Sequence, residues 1–149
     1  MSAINQKLLI ELLEPFLLSK HFAISEVKKP NNQKLISAWS KHFTKAKLIR
    51  NEALWHTFSF NNHKHYSGEH AIKKFEDTYL KEIVIFSTNE YHALKCSSKF
   101  PIFLDFNEIL KQLSQSRSSV DIFISHKNFN WTFVIPHEID FGPYYATSL

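Results

Sequence analysis

The stretch DIFISHKNFNWTFVIPHEIDFGPYY, residues 121–145, decides the fold of this chain. Residues 121–126 and 131–135 are rich in β-branched and aromatic side chains, and the polar loop 127–130 between them has hairpin length. Alternation places Ile122 and Ile124 on one face of the first run and Phe123 on the other, while Trp131, Phe133 and Ile135 share a face of the second. Pro136 has no N–H to give a ladder and therefore closes the second strand. Beyond it lie His137, Glu138, Asp140, Gly142, Pro143, Tyr144 and Tyr145, the densest run of polar and aromatic chemistry in the sequence and hence a candidate functional edge.

Upstream of the hairpin, SQSRSS reads as a solvated connection, and Asp105 as the N-cap of a helix from Phe106 to about residue 115, with Glu108 at the capping-box position. Pro101 implies an extended link over residues 99–104. The nearly continuous apolar run EIVIFST, 82–88, suits a central strand, turned at Asn89 and Glu90 into another over 91–97. Ser67 is placed to cap a helix from Gly68 to about Tyr79, with Ala71, Ile72 and Phe75 inward. ALWHTFSF, 53–60, alternates like a strand, with Leu54, His56 and Phe58 on one side.

Asn31 or Asn32 is expected to cap a helix reaching about Lys47. Its buried stripe would be Leu35, Ile36, Trp39, Phe43 and Ala46, with Lys34, Lys41 and Lys45 on the opposite face. A short strand over 22–27 precedes it, after a helix over 4–20 that Pro15 should kink or interrupt. These elements predict an α+β fold: a single globular domain over 1–149, with a mostly antiparallel sheet of five or six strands, about four helices and a C-terminal β-hairpin.

Composition narrows the class. A chain of 149 residues with 44% hydrophobic and 21% charged residues can bury a substantial core and is not of disordered type. Its only glycines, Gly68 and Gly142, are too few for a phosphate-cradling loop or a dinucleotide fingerprint. The single cysteine, Cys96, forms no intramolecular disulfide, which together with the lack of an export signal and of an 18-residue apolar run predicts a cytoplasmic, non-membrane protein. The net charge of +4 is uneven: residues 1–50 hold nine basic against three acidic side chains, and residues 101–149 three against five. A basic first third favours acidic partners.

The chemistry-bearing residues fit no metal signature: His56, His63, His65 and His70 lie close in sequence, but at spacings no common site uses, so no metal and no cofactor is expected. Cys96 sits in a strand-like run and reads as a small buried side chain. His137, Glu138 and His56 would serve a small hydrolase or nucleic-acid-processing enzyme if they converged. The lysines of residues 34–50 suggest a nucleic-acid binder, but the neighbouring aromatic residues fall on the opposite helix face, which counts against base stacking.

Two blocks carry a resemblance. LWHTFSF followed by Gly68, Glu69, Ala71, Ile72 and Phe75, and the 121–145 stretch itself, resemble a family of small, mostly bacterial proteins catalogued as a domain of unknown function. The matching residues are Trp55, His56, Ser59, Gly68, Glu69, Phe75, Asp121, Trp131, Thr132, His137, Glu138, Gly142, Pro143 and Tyr144, across roughly residues 35–145. The resemblance implies a bacterial cytoplasmic setting and supplies no catalytic residues. At the level of class, the chain is also similar to immunity proteins that neutralise interbacterial toxins. The expectation is a non-enzymatic domain binding a protein partner, a cognate toxin, through the Lys34, Lys41 and Lys45 face or through His137, Glu138, Asp140, Tyr144 and Tyr145.

Overall fold

The structure, a computed structural model, describes residues 12–28, 31–44, 56–59, 63–87, 93–113, 121–137 and 142–148. Along the chain these form α1 (Glu14–Ser19), β1 (Ala23–Val27), α2 (Asn31–Phe43), the single turn α3 (His56–Ser59) and β2 (Tyr66–Ser67). There follow α4 (Glu69–Glu76), β3 (Leu80–Phe86), β4 (Ala93–Ile102), α5 (Phe106–Leu113), β5 (Ile122–His126), β6 (Trp131–Ile135) and β7 (Tyr144–Thr147). The fold is α+β, with one sheet of seven strands in the order β1-β4-β3-β5-β6-β7-β2, every described pair antiparallel.

The hairpin forms as its alternation requires, with Ile124 opposite Phe133 and Phe123 opposite Val134. Because the side-chain period is two, one register serves both faces of the sheet. Ile122, Ile124, Trp131, Phe133 and Ile135 join a core closed by Leu13, Phe16 and Leu17 around α1, Ala71 and Phe75 of α4, and Phe106 and Ile109 of α5. Phe123 and Val134 join a second core on the other face with Trp39 and Phe43 of α2 and Phe58 of α3. Phe75 stacks flat on Phe133 at 4.2 Å, and Trp39 meets Phe123 edge-on at 5.0 Å. Both are favoured aromatic geometries.

A small polar network crosses the second core. The Trp39 indole N–H donates to Thr132 Oγ1 at 2.8 Å, and the hydroxyls of Thr132 and its cross-strand partner Ser125 share a 2.8 Å hydrogen bond. Each buried polar atom is satisfied, so the network fixes how α2 sits on the sheet.

Several local expectations are corrected. Residues 56–59 are helical rather than extended, because tertiary packing outweighs the period-two pattern. Here Thr57 turns inward to donate to the Phe43 carbonyl at 2.8 Å, satisfying an end group of α2 that the helix leaves unpaired, while Phe58 packs on Trp39. Ser67 is a strand residue, and Gly68, at φ 62, takes the N-cap position of α4, a conformation open to glycine. Neither Asn31 nor Asn32 caps α2; both lie in its first turn, their N–H groups directed to the Lys28 carbonyl.

Other departures concern strand and helix ends. Asp105 does cap α5, accepting from the Glu108 N–H at 3.1 Å, but the Glu108 carboxylate binds Lys20 instead of closing a capping box. The proline of residues 99–104 does not end a strand: β4 runs on through Pro101, and the pairing with β3 jumps from Glu82–Ser97 to Leu80–Ile102, so that residues 98–101 bulge outward. Phe129, within the polar hairpin loop, is buried against His42 at φ 62. Around Pro15, a π-type turn at residues 12–13 leads into α1, with the proline in its first turn, where a missing N–H is tolerated.

Candidate binding surface

The helices on the Trp39 face cover only part of the sheet. Strand register puts Ala23, Ser25, Lys95, Ser97, Glu82 and Lys127 toward that same side, beyond the edge of α2. They line an open groove of about 610 Å³ with Leu35 of α2 as its wall and Asn128 at its end. Its floor is largely polar, and among the described residues no helix lies above it. Lys127 pairs with Glu82 and, as the main cause, holds that carboxyl below its ordinary value. Lys95, exposed between Ser25 and Val84 in the ladder, has no ion-pair partner among the described residues.

His126, at the base of the hairpin turn, is held below its ordinary pKa chiefly by burial and secondarily by Lys127. Its Nδ1 accepts from the Asn128 N–H at 3.1 Å, as a neutral ring must. The groove thus carries lysine cations and one neutralised carboxylate.

At one end of the groove the sheet margin exposes aromatic side chains. Tyr79 and Phe103 flank the Leu80–Ile102 pair and are 61% and 60% exposed; Phe100, on the outward bulge of β4, is 74% exposed. Phe100 also borders a second cavity with His21 and Ala23, so this margin adjoins the start of β1. Large apolar groups left in water together mark contact surfaces.

The residues named from sequence are divided by the fold. Lys34 and Lys41 are exposed on the outer side of α2, away from Trp39 and Phe43, which are fully buried. Lys45, Glu138 and Asp140 lie outside the described residues, as does the His56 side chain. Tyr144 and Tyr145 do not stand on an edge: adjacent residues of a strand point to opposite faces, and β7 sends Tyr145 into the first core and Tyr144 into the second. Tyr145 stacks on Trp131 at 5.9 Å and its hydroxyl meets that of Thr78 at 3.0 Å.

His137 is tied to Asp121, which is buried; one carboxylate oxygen accepts from both the backbone N–H and Nδ1–H of His137, each at 2.7 Å. That arrangement pins the chain where it leaves β6. Asp121→Ala is expected to lower stability by about 1–3 kcal/mol, the loss of hydrogen bonds to a charged carboxylate, with Asp121→Asn losing less; urea unfolding of the three proteins measures it.

His63 and His65 serve structure. His63 Nε2–H donates to the Thr147 carbonyl at 3.0 Å, its ring packed against Phe43 and Phe58, and His65 Nδ1–H donates to the His63 carbonyl at 2.8 Å. Among the described residues, no three His, Cys, Asp or Glu side chains stand close enough to hold a metal ion, and no helix is long and apolar enough to cross a membrane. Cys96, in β4, is buried between Ile24 and Ile83.

Sequence reasoning missed the groove and the aromatic margin. A lysine in a strand reads as a solvated position, and the exposure of Phe100 and Phe103 depends on the bulge. The signal that was present is a phenylalanine on each side of Pro101, KFPIF, more apolar surface than an extended link needs.

Comparison with known proteins agrees with the two-block resemblance. Searches of curated proteins and of solved structures returned no match. A family model described as "Domain of unknown function (DUF4275)" matches residues 18–145, from the end of α1 to the middle of β7, taking in the groove, the aromatic margin and most of both cores. The chain belongs to that family.

Proposed function

We propose that this chain is a non-enzymatic binding protein of the bacterial cytoplasm, and most concretely an immunity protein that neutralises a cognate toxin by direct contact. The observation that carries the proposal is the exposed aromatic margin of Tyr79, Phe100 and Phe103 beside an open groove. Large aromatic groups at the rim of a concave surface are the common anchors of protein interfaces, where burying them against a partner supplies most of the binding energy. Several of the described titratable groups, by contrast, are engaged in structural roles: Asp121 with His137, His63 with Thr147, Glu82 with Lys127. The basic first third of the chain suits an acidic patch on the toxin rather than mimicry of a nucleic-acid substrate.

The test pairs genetics with biochemistry. Co-expression with the product of the adjacent gene is expected to yield a stable complex, and deletion of this gene to sensitise the cell to toxin delivered by a sibling strain. Phe100→Ser with Phe103→Ser is expected to weaken the complex by about a hundredfold, two anchors of hot-spot size at most, while thermal stability stays unchanged because both side chains lie in water. No complex and no sensitisation would refute the immunity reading.

A further inference from the structure

We propose that the docking partner, on the reading just given, adds an extended acidic segment to the open edge of β1, with alternate carboxylates reaching over the groove to Lys95. Among the described residues β1 is bonded only to β4, and no other described strand lies beside its outer row of backbone groups. Soluble proteins usually shield such an edge with lysine, proline, a bulge or a very short strand. Here AISEV, Ala23–Val27, contains neither lysine nor proline, and its five residues pair with β4 in unbroken register. At the opposite margin, β2 has two residues and is the shielded kind.

The side chains next to the edge suit one kind of occupant. Ala23 and Ser25 are small and exposed, and both face the groove, leaving space above them. Lys95 lies opposite Ser25 on β4. A strand added outside β1 would run two ladder spacings from Lys95, roughly 10 Å, a gap that a lysine and a glutamate side chain span together when the residue between is as small as serine. The other cation of the groove floor, Lys127, is engaged by Glu82, so Lys95 is the cation there that has no carboxylate among the described residues. The incoming segment therefore carries acids at every second position, on the groove side. Backbone ladder bonds supply affinity and the alternating pockets select the sequence.

An isotope-labelled sample of the full chain, titrated with an alternating glutamate–threonine octapeptide and monitored by amide NMR, tests this. Shift changes confined to β1 and the facing part of β4 are expected, with none from an alternating lysine–threonine octapeptide. Lys95→Glu is expected to weaken the acidic peptide by at least about tenfold, the loss of one charge-assisted contact, without moving the thermal midpoint. Equal response to both peptides, changes located away from β1, indifference to Lys95→Glu, or self-association through β1 in place of peptide binding would overturn it. The toxin complex separates this proposal from the broader one. A complex that forms with wild type and is indifferent to Lys95→Glu and Ser25→Pro removes the edge mode and leaves immunity standing. Peptide binding at β1 with no toxin complex does the reverse.

Discussion

Trp39→Ala lowers the unfolding free energy by about 3–5 kcal/mol, the range for deleting a fully buried large aromatic side chain. The indole is fully buried, packs against Phe43, Phe58 and Phe123, and donates the hydrogen bond that organises Thr132 and Ser125. Removing it opens a cavity between α2 and the sheet and leaves a buried hydroxyl pair one donor short. Trp39→Phe keeps most of the apolar volume and loses the N–H, so the difference between the two variants separates packing from hydrogen bonding. Because Leu35 of the same helix walls the groove, Trp39→Ala should also broaden the NMR signals of the groove residues. Urea unfolding gives the energies. A loss under about 1 kcal/mol for the alanine variant would mean that α2 is not docked as described.

The second large effect is alkaline. Burial pushes the Cys96 thiol from its ordinary 9.0 up to about 12, and the nearby Glu14 carboxylate adds to the rise. The folded state thus holds its proton more tightly than the unfolded chain does. Stability from this group is fully present below pH 9 and is lost as pH climbs from 9 toward 12, at up to about 1.4 kcal/mol per pH unit and roughly 4 kcal/mol in all. Burial also raises Tyr144 and Tyr145 above 10, so they steepen the fall in the upper part of the window. Between pH 9 and 10 the slope belongs mainly to the thiol. Cys96→Ala should therefore start from a lower stability, for want of the sulfur's packing, yet show a flatter line there. Wild type and variant with parallel lines would disprove the assignment. Native Cys96 should also resist thiol alkylation that proceeds rapidly in urea, since the thiolate is the reactive form.

How much of this was legible in the sequence depended on whether a residue's fate was set by its neighbours in the chain. The hairpin was legible because Ile122, Phe123 and Ile124 alternate over a short loop and Pro136 marks the stop. Likewise, the apolar run around Ile83 to Phe86 announced a strand with neighbours on both sides, and α2 showed its buried stripe at helical spacing. Residues 56–59 were misread because Thr57 and Phe58 satisfy period two as well as a helical turn; the decision rests with the Phe43 carbonyl and the Trp39 ring, both distant in sequence. β7 went unseen because glycine and proline at 142–143 suggested irregular backbone.

The candidate site was less legible still. Lys34 and Lys41 were rightly placed in solvent, since helical geometry alone puts them opposite Trp39. Tyr144 and Tyr145 read as a polar-aromatic edge, but β7 is held between β6 and β2, so that one ring enters each of the two cores on the sheet's faces. Among the described residues the groove lies beyond the edge of α2, and no local pattern encodes where a helix stops covering a sheet.

The pairing of Tyr66 with Tyr145 and Ser67 with Tyr144, reinforced by the Gly68 N–H on the Pro143 carbonyl at 2.9 Å, has a bearing on stoichiometry. A sheet whose second margin is a two-residue stub offers a guest strand little to pair with there. On the proposed edge mode, assemblies through β1 are therefore expected to join one copy of the chain to one guest rather than to grow from both margins.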